Sequence, residues 1–286
     1  MSHLAEDYMN ALLNAFCIVL ITIPLSLLLT SRAVAQENTS ELNSSLSSGG
    51  SGAQSDTSGA MDDQWHIAFS PYLWFAGVHG TTGVLGYNTS IHASPGDLLS
   101  HFNMGLMGST NLRRNRVVLP VDMMWIRLSD NHSLPENVLG VNSIDFRAGQ
   151  FILTPGAGYR FVDKSNLKVD GLVGLRYWHL GQKLTFNPTI LNGISTSQNW
   201  VDALGGARLL MLITPKLSMI ISGNAGGGAA APDYEVLGVV GLKVKRNITL
   251  QAGWRYLDVH YRNNSNLFLY DVAQNGAILG ATFQLK

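Results

Sequence analysis

Two copies of one pattern constrain this chain more than anything else in it. Val169-Asp170-Gly171-Leu172-Val173-Gly174-Leu175-Arg176 is followed by Val201-Asp202-Ala203-Leu204-Gly205-Gly206-Ala207-Arg208. Each reads Val-Asp, three residues, Gly, one residue, Arg. The Asp-to-Arg interval is even, so in a strand Asp, Gly and Arg share one face. The opposite face carries Val173, Leu175 and Tyr177 in the first copy, and Val201, Ala203, Ala207, Leu209, Met211 and Ile213 in the second. If the copies form an antiparallel hairpin, one register sets Asp170 against Arg208 and Arg176 against Asp202. Opposite charges directly across a ladder support and fix such a register. A soluble sheet would bury the apolar face, and a membrane barrel would turn it toward lipid. The pattern alone leaves both open.

The rest of the chain favours the barrel. Charged residues are 13% of the 286, with equal acidic and basic counts, against about 25% in a typical soluble domain. Zero net charge and the absence of a basic patch give no reason to expect a nucleic-acid partner. Ala11 to Thr30 is apolar and is followed by Ala33-Val34-Ala35, an A-x-A site. Residues 1–35 therefore read as a secretory signal peptide cleaved before Gln36. The only cysteine, Cys17, lies inside that segment, so the mature chain has no disulfide and no Cys-based metal site. Residues 36–63 are Ser-, Gly- and Asn-rich and read as a linker.

Structure is expected from residue 64 to 286. His66 to Gly77 is an aromatic-rich strand. His79 to His92 suggests a hairpin turning near Gly86 to Asn88. Ser94-Pro95-Gly96-Asp97 places a capping residue before a proline, which predicts a short helical turn. Strands then follow at 104–113, 117–129, 142–161, 166–180, 196–213, 216–225, 234–245, 247–261 and 268–285. Tight connections at Arg114-Asn115, Val162–Ser165, Thr214–Lys216 and Lys245–Asn247 alternate with longer ones at 130–140, 181–195, 226–233 and 262–267. Short turns on one side and long loops on the other are what outer-membrane barrels show. The fold class expected is all-β, an antiparallel transmembrane barrel of about ten strands (eight to twelve), the upper count applying if the 79–93 hairpin joins the ring. Trp65, Tyr72, Trp74, Trp125, Tyr159, Tyr177, Trp178, Trp200, Trp254, Tyr256, Tyr261 and Tyr270 lie near strand ends, where interfacial aromatic girdles sit. Ile278 and Gly280 alternate with Leu279, Ala281 and Phe283, as in a closing strand whose end the barrel-assembly machinery reads.

Ser70-Pro71-Tyr72-Leu73-Trp74, Gly253-Trp254-Arg255-Tyr256-Leu257-Asp258-Val259 and the segment from Tyr270-Asp271 to Gly276 resemble a family of largely uncharacterised Gram-negative outer-membrane β-barrel proteins. In architecture the chain is also similar to the OmpA-like and small-porin group. The resemblance covers residues 65–286. It implies a barrel and an outer-membrane location, and it supplies no catalytic residues.

A charge facing lipid at mid-bilayer would cost about 2–4 kcal/mol, so the strand charges are expected in the lumen. Asp170, Arg208, Arg176, Asp202, Asp145, Arg147 and Arg255 form the candidate set. They make either a charged constriction that tunes the passage of small solutes or a salt-bridged plug that fills a narrow barrel. The expected function is therefore a structural barrel or a narrow passive pore. The alternatives are surface binding through 78–103, 130–140 and 181–195, and a rim hydrolase or acyltransferase built on His132, His179 and His260. No G-x-S-x-G or H-E-x-x-H is present, and the Gly-rich run 224–231 lacks the Lys-Ser or Lys-Thr of a phosphate loop. The chain is thus expected to be no enzyme, with no cofactor and no metal.

Overall fold

Alternation of small or apolar outward residues with polar inward ones, carried through strand after strand, closes the chain on itself. The computed structural model describes residues 64–84, 87–138, 141–187 and 194–285. The signal peptide and the linker lie outside the described residues. The elements are β1 (His66–Val84), β2 (Tyr87–Ala93), α1 (Pro95–Ser100), β3 (Phe102–Arg114), β4 (Val117–Val138), β5 (Val141–Asp163), β6 (Leu167–Asn187), β7 (Ile194–Leu212), β8 (Leu217–Gly228), β9 (Ala230–Lys245), β10 (Ile248–Asn263) and β11 (Phe268–Leu285). Consecutive strands from β3 to β11 pair antiparallel, and β1 closes the ring against both β11 and β3. The result is a closed ten-stranded antiparallel barrel. The hairpin after β1 forms, yet adds no strand to the ring: its first arm is the continuation of β1, and β2 pairs only with that arm.

The β1–β3 ladder is the short one. It runs from His66↔Arg113 to Pro71↔Gly108 and stops, whereas β1 follows β11 from Ile67 to Gly83. Pro71 lacks an N–H to extend a ladder. Above it the chain returns to the wall through β2 and α1, and Gly77 makes this approach feasible. A Cβ there would sit 3.3 Å from both the Ala93 carbonyl and the Pro95 ring. A capping box starts α1: Ser94 N–H donates to Asp97 Oδ2 (2.8 Å) and Asp97 N–H to Ser94 Oγ (3.2 Å). Asn115 takes φ 54° in the tight β3–β4 turn, a conformation Asn tolerates.

The long connections are strands more than loops. β4 and β5 stay paired to Ser133↔Ser143 and again at Val138↔Val141, and β6 and β7 stay paired to Leu184↔Ile194. The two-residue alternation continues there in Ser143-Ile144-Asp145-Phe146 and Lys183-Leu184-Thr185-Phe186. The Gly-rich stretch expected as a loop also lies in the sheet. Gly226, Gly227 and Gly228 pair with Leu204, Ala203 and Asp202, and a Cβ on Gly226 would lie 1.8 Å from the Ala203 carbonyl oxygen.

The outer wall is apolar. Leu73, Leu106, Phe161, Val173, Leu175, Val236, Trp254 and Leu279 are all at least half exposed. Outward positions carry no charge from Gly149 to Phe161 along β5, or from Val169 to Tyr177 along β6. Exposed apolar surface on this scale is foreign to a soluble monomer.

Candidate functional site

The same alternation decides what fills the lumen. Register sets Asp170 opposite Arg208 and Arg176 opposite Asp202, all four pointing inward and buried or half-buried. Asp170 is fully buried and receives two guanidiniums, Arg160 Nε (2.8 Å) from β5 and Arg208 Nη2 (2.8 Å) from β7. Arg208 Nη2 also donates to Asn111 Oδ1 on β3 (3.0 Å), so the chain of contacts crosses the lumen as a bar.

Arg176 and Asp202 face each other in register without pairing as side chains. Arg176 instead reaches Asp233 and Glu235 on β9, with further bonds to Asn224 (2.9 Å) and Thr154 (3.3 Å). Two carboxylates spaced two residues apart on one face match the two-pronged guanidinium, and an Arg side chain is long enough to cross a ten-stranded ring. Asp202 Oδ1 accepts from the Ala230 N–H (2.7 Å). Arg255 completes the cluster. It donates to the Tyr72 hydroxyl (2.7 Å), to Asp122 (3.1 Å) and to Glu235 (3.2 Å), and its guanidinium lies 4.9 Å from the Trp74 ring centre. Tyr72 donates in turn to Asp122 (3.0 Å).

Asp145 and Arg147 do not belong to the lumen. Buried Ile152 and Arg160 set the even-numbered positions of β5 inward, so odd-numbered 145 and 147 face out. Asp145 accepts from outward Asn131, and Arg147 is exposed. They lie in the β4–β5 extension beyond the apolar band, where an outward charge meets water.

The aromatic girdle is also half as large as expected. Trp125, Tyr159, Tyr177, Trp254 and Tyr256 face outward, but Tyr72, Trp74, Trp178, Trp200, Tyr261 and Tyr270 point into the lumen and are buried. Trp178 stacks on Trp200 (5.3 Å, 11°), and Trp200 on Tyr261 (4.1 Å, 5°), with Tyr270 edge-on to Trp178 (6.3 Å). Trp178 Nε1 donates to Asp233 (3.1 Å), which joins the aromatic layer to the charge cluster. The parity that turns Arg176 inward turns Trp178 inward too, and the parity of Asp202 does the same for Trp200. Sequence reasoning missed that step, and it missed Arg160, Asp233 and Glu235, although Asp233 and Glu235, two residues apart, share one face of β9.

Beyond the plug, toward the short turns, the lumen holds a cavity of about 510 Å³. Its wall carries Ser70, Ser109, Asn111, Thr154, Ser222, Gln251 and Thr282 beside Leu204, Ile220, Leu237 and Ile278, with Arg208 and Arg255 exposed to it. It reaches the short-turn end at His66, Arg113, Lys168 and Gln284.

The two rim histidines whose side chains are described, His179 and His260, do not meet. His179 faces outward on β6 beside Asn199, and His260 faces outward on β10 beside Asp271 (3.1 Å). The side chain of His132 lies outside the described residues.

Comparison with known proteins gives fold relatives only. No family model and no curated protein sequence matches this chain. Among solved structures it is similar to the outer membrane protease OmpT of Escherichia coli, at 7% identity and a TM-score of 0.47, covering 80% of this chain and 99% of that one. It is also similar to Ail, the attachment invasion locus protein of Yersinia pestis, at 14% identity and a TM-score of 0.33, covering 77% of this chain and 98% of that one. A third is Neisserial surface protein A, at 14% identity and a TM-score of 0.32, covering 77% and 97%.

Proposed function

We propose that this chain is a non-catalytic outer-membrane barrel whose lumen is closed by its own side chains, so that its role is structural rather than the free passage of solutes. The observation that carries the reading is the stacked Trp178–Trp200–Tyr261 layer seated on the Arg176 and Arg255 ion pairs. Inward aromatics and paired charges from β1, β4, β6, β7, β9, β10 and β11 meet across the ring, while the outward wall is apolar. On β5, outward Phe151 to Phe161 covers about 33 Å along the strand. At a tilt of about 40° this is about 25 Å along the barrel axis, the height of the apolar band of an outer-membrane barrel.

In this reading the short turns face the periplasm and the long hairpins face outward. A cleaved signal peptide delivers the chain across the inner membrane, and β11 presents outward Phe283, paired with Phe69 of β1, to the assembly machinery. A trypsin-resistant, heat-modifiable species in outer-membrane fractions is the expected result. A soluble periplasmic product would refute the reading.

The extended β4–β5 and β6–β7 hairpins support a second reading, surface binding. Cutting both hairpins back to the barrel rim should then remove cell or ligand binding while heat-modifiability persists. Unchanged binding would dispose of it.

A further inference from the structure

We propose that the cavity on the short-turn side of the plug is a binding site for an amphipathic monoanion, a carboxylate on an apolar body, which enters from the short-turn end. The first ground is charge. Asp170 is shared by Arg160 and Arg208. Asp163, 3.9 Å from Arg160, is held more closely by Lys168 (2.8 Å). Arg113 also lines the cavity at its short-turn end, so four cations meet two carboxylates and a positive surplus remains. An uncompensated charge away from bulk water favours an anion beside it. Arg208 is the more exposed of the two guanidiniums on Asp170, 14% against 4%, and it lines the cavity. Its bond to Asn111 across the lumen holds it in place before any ligand arrives, which lowers the ordering cost of binding.

The second ground is the wall above it. Leu204, Ile220, Leu237 and Ile278 line the same cavity, and its volume falls within the range of small-molecule pockets. At the plug, three carboxylates (Asp122, Asp233, Glu235) meet two guanidiniums (Arg176, Arg255). That end repels a second negative charge. A ligand is therefore anionic at Arg208 and uncharged toward the plug.

The test is calorimetric titration of octanoate into the barrel held in lipid nanodiscs, with acetate and octyltrimethylammonium as controls. Saturable binding of octanoate is expected, with acetate much weaker and the cation not binding saturably. Arg208→Gln leaves Arg160 and Asp170 paired one to one and takes away the guanidinium that meets the ligand, so it should weaken octanoate by about tenfold or more. Asp170→Asn increases the surplus and should tighten it. A purely structural role would make both variants lose binding. If Asp170→Asn does not assemble, Leu204→Trp serves instead: its ladder partners Gly174 and Gly226 carry no charge, and the larger side chain fills the cavity and should abolish binding. Equal affinity in wild type and Arg208→Gln, acetate binding as tightly as octanoate, or no saturable binding would each overturn the proposal. The site stands apart from the closed-lumen reading: a conducting barrel would refute that reading and leave this titration unchanged.

Discussion

The two halves of the lumen are built on the same ten strands with the same alternation, yet one is closed and the other open. In the closed half the inward positions hold Trp74, Trp178, Trp200, Tyr261, Tyr270, Arg176 and Arg255, all buried. In the open half Ser70, Ser109, Gly156, Gly174, Gly206 and Ser222 line the cavity beside the Arg160–Asp170–Arg208 bar. Strand number sets the width of the ring. Whether that width is a pore or a plug is decided by side-chain size at every second position.

The largest effect should come from breaking the ion-pair floor of the closed half. Arg255→Ala leaves Asp122 and Glu235 short of a cation in a buried site, and loss of one partner of such a cluster costs about 3–5 kcal/mol. Urea unfolding of the barrel refolded in lipid measures it. Trp200→Ala removes the central ring of the stack and should cost about 3 kcal/mol or more. Combined with Trp178→Ala, it should make the closed half resemble the open one and give the barrel measurable ion conductance.

The comparison sharpens when the outer wall is included. Val173→Lys places a charge on the apolar band and should destabilise by about 2–4 kcal/mol, seen as a lower urea midpoint. Ser222→Phe works the other way, by filling the open half. The phenyl ring enters existing space and not a packed core, so the cost should stay below the ~1–3 kcal/mol of overpacking, with the barrel still heat-modifiable.

The smallest effect concerns α1, outside both halves. Hydrogen bonds from Ser94 hold the Asp97 carboxyl below its usual range. A depressed folded-state value means the capping contribution is complete above the ordinary aspartate pKa of about 3.9 and is lost as pH falls through the lowered one. Amide exchange in α1 should therefore quicken at acid pH, and Asp97→Asn should remove that pH dependence.

Much of this architecture was legible in the sequence. The twin Val-Asp…Gly-x-Arg copies contain the β6–β7 register, and the tight turns mark the strand boundaries at one end. At the other end β4 and β6 run past the expected limits of 129 and 180, although Lys183-Leu184-Thr185-Phe186 keeps the alternation that would have extended β6. The charged site was half legible. Parity places Asp170, Arg176, Asp202 and Arg208 inward, but partner choice across a closed ring depends on which strands curve to face each other. That is why Arg176 meets Asp233 and Glu235 and not the residue opposite it. Asp145 and Arg147 were misplaced because sharing a face says nothing about which face. Buried Ile152 and Arg160 on the same strand settle that point. The aromatics misled for another reason: Trp near a strand end suits a girdle and a plug equally well, and only its parity with Arg176 or Asp202 separates the two.

The measurement that tests the closed lumen most directly is planar-bilayer conductance of the refolded chain from Gln36 onward, once heat-modifiability has shown that it is folded. The account predicts a silent barrel, with discrete steps appearing only when Trp178 and Trp200 are both replaced by Ala. Reproducible unitary steps from the unaltered chain would contradict it.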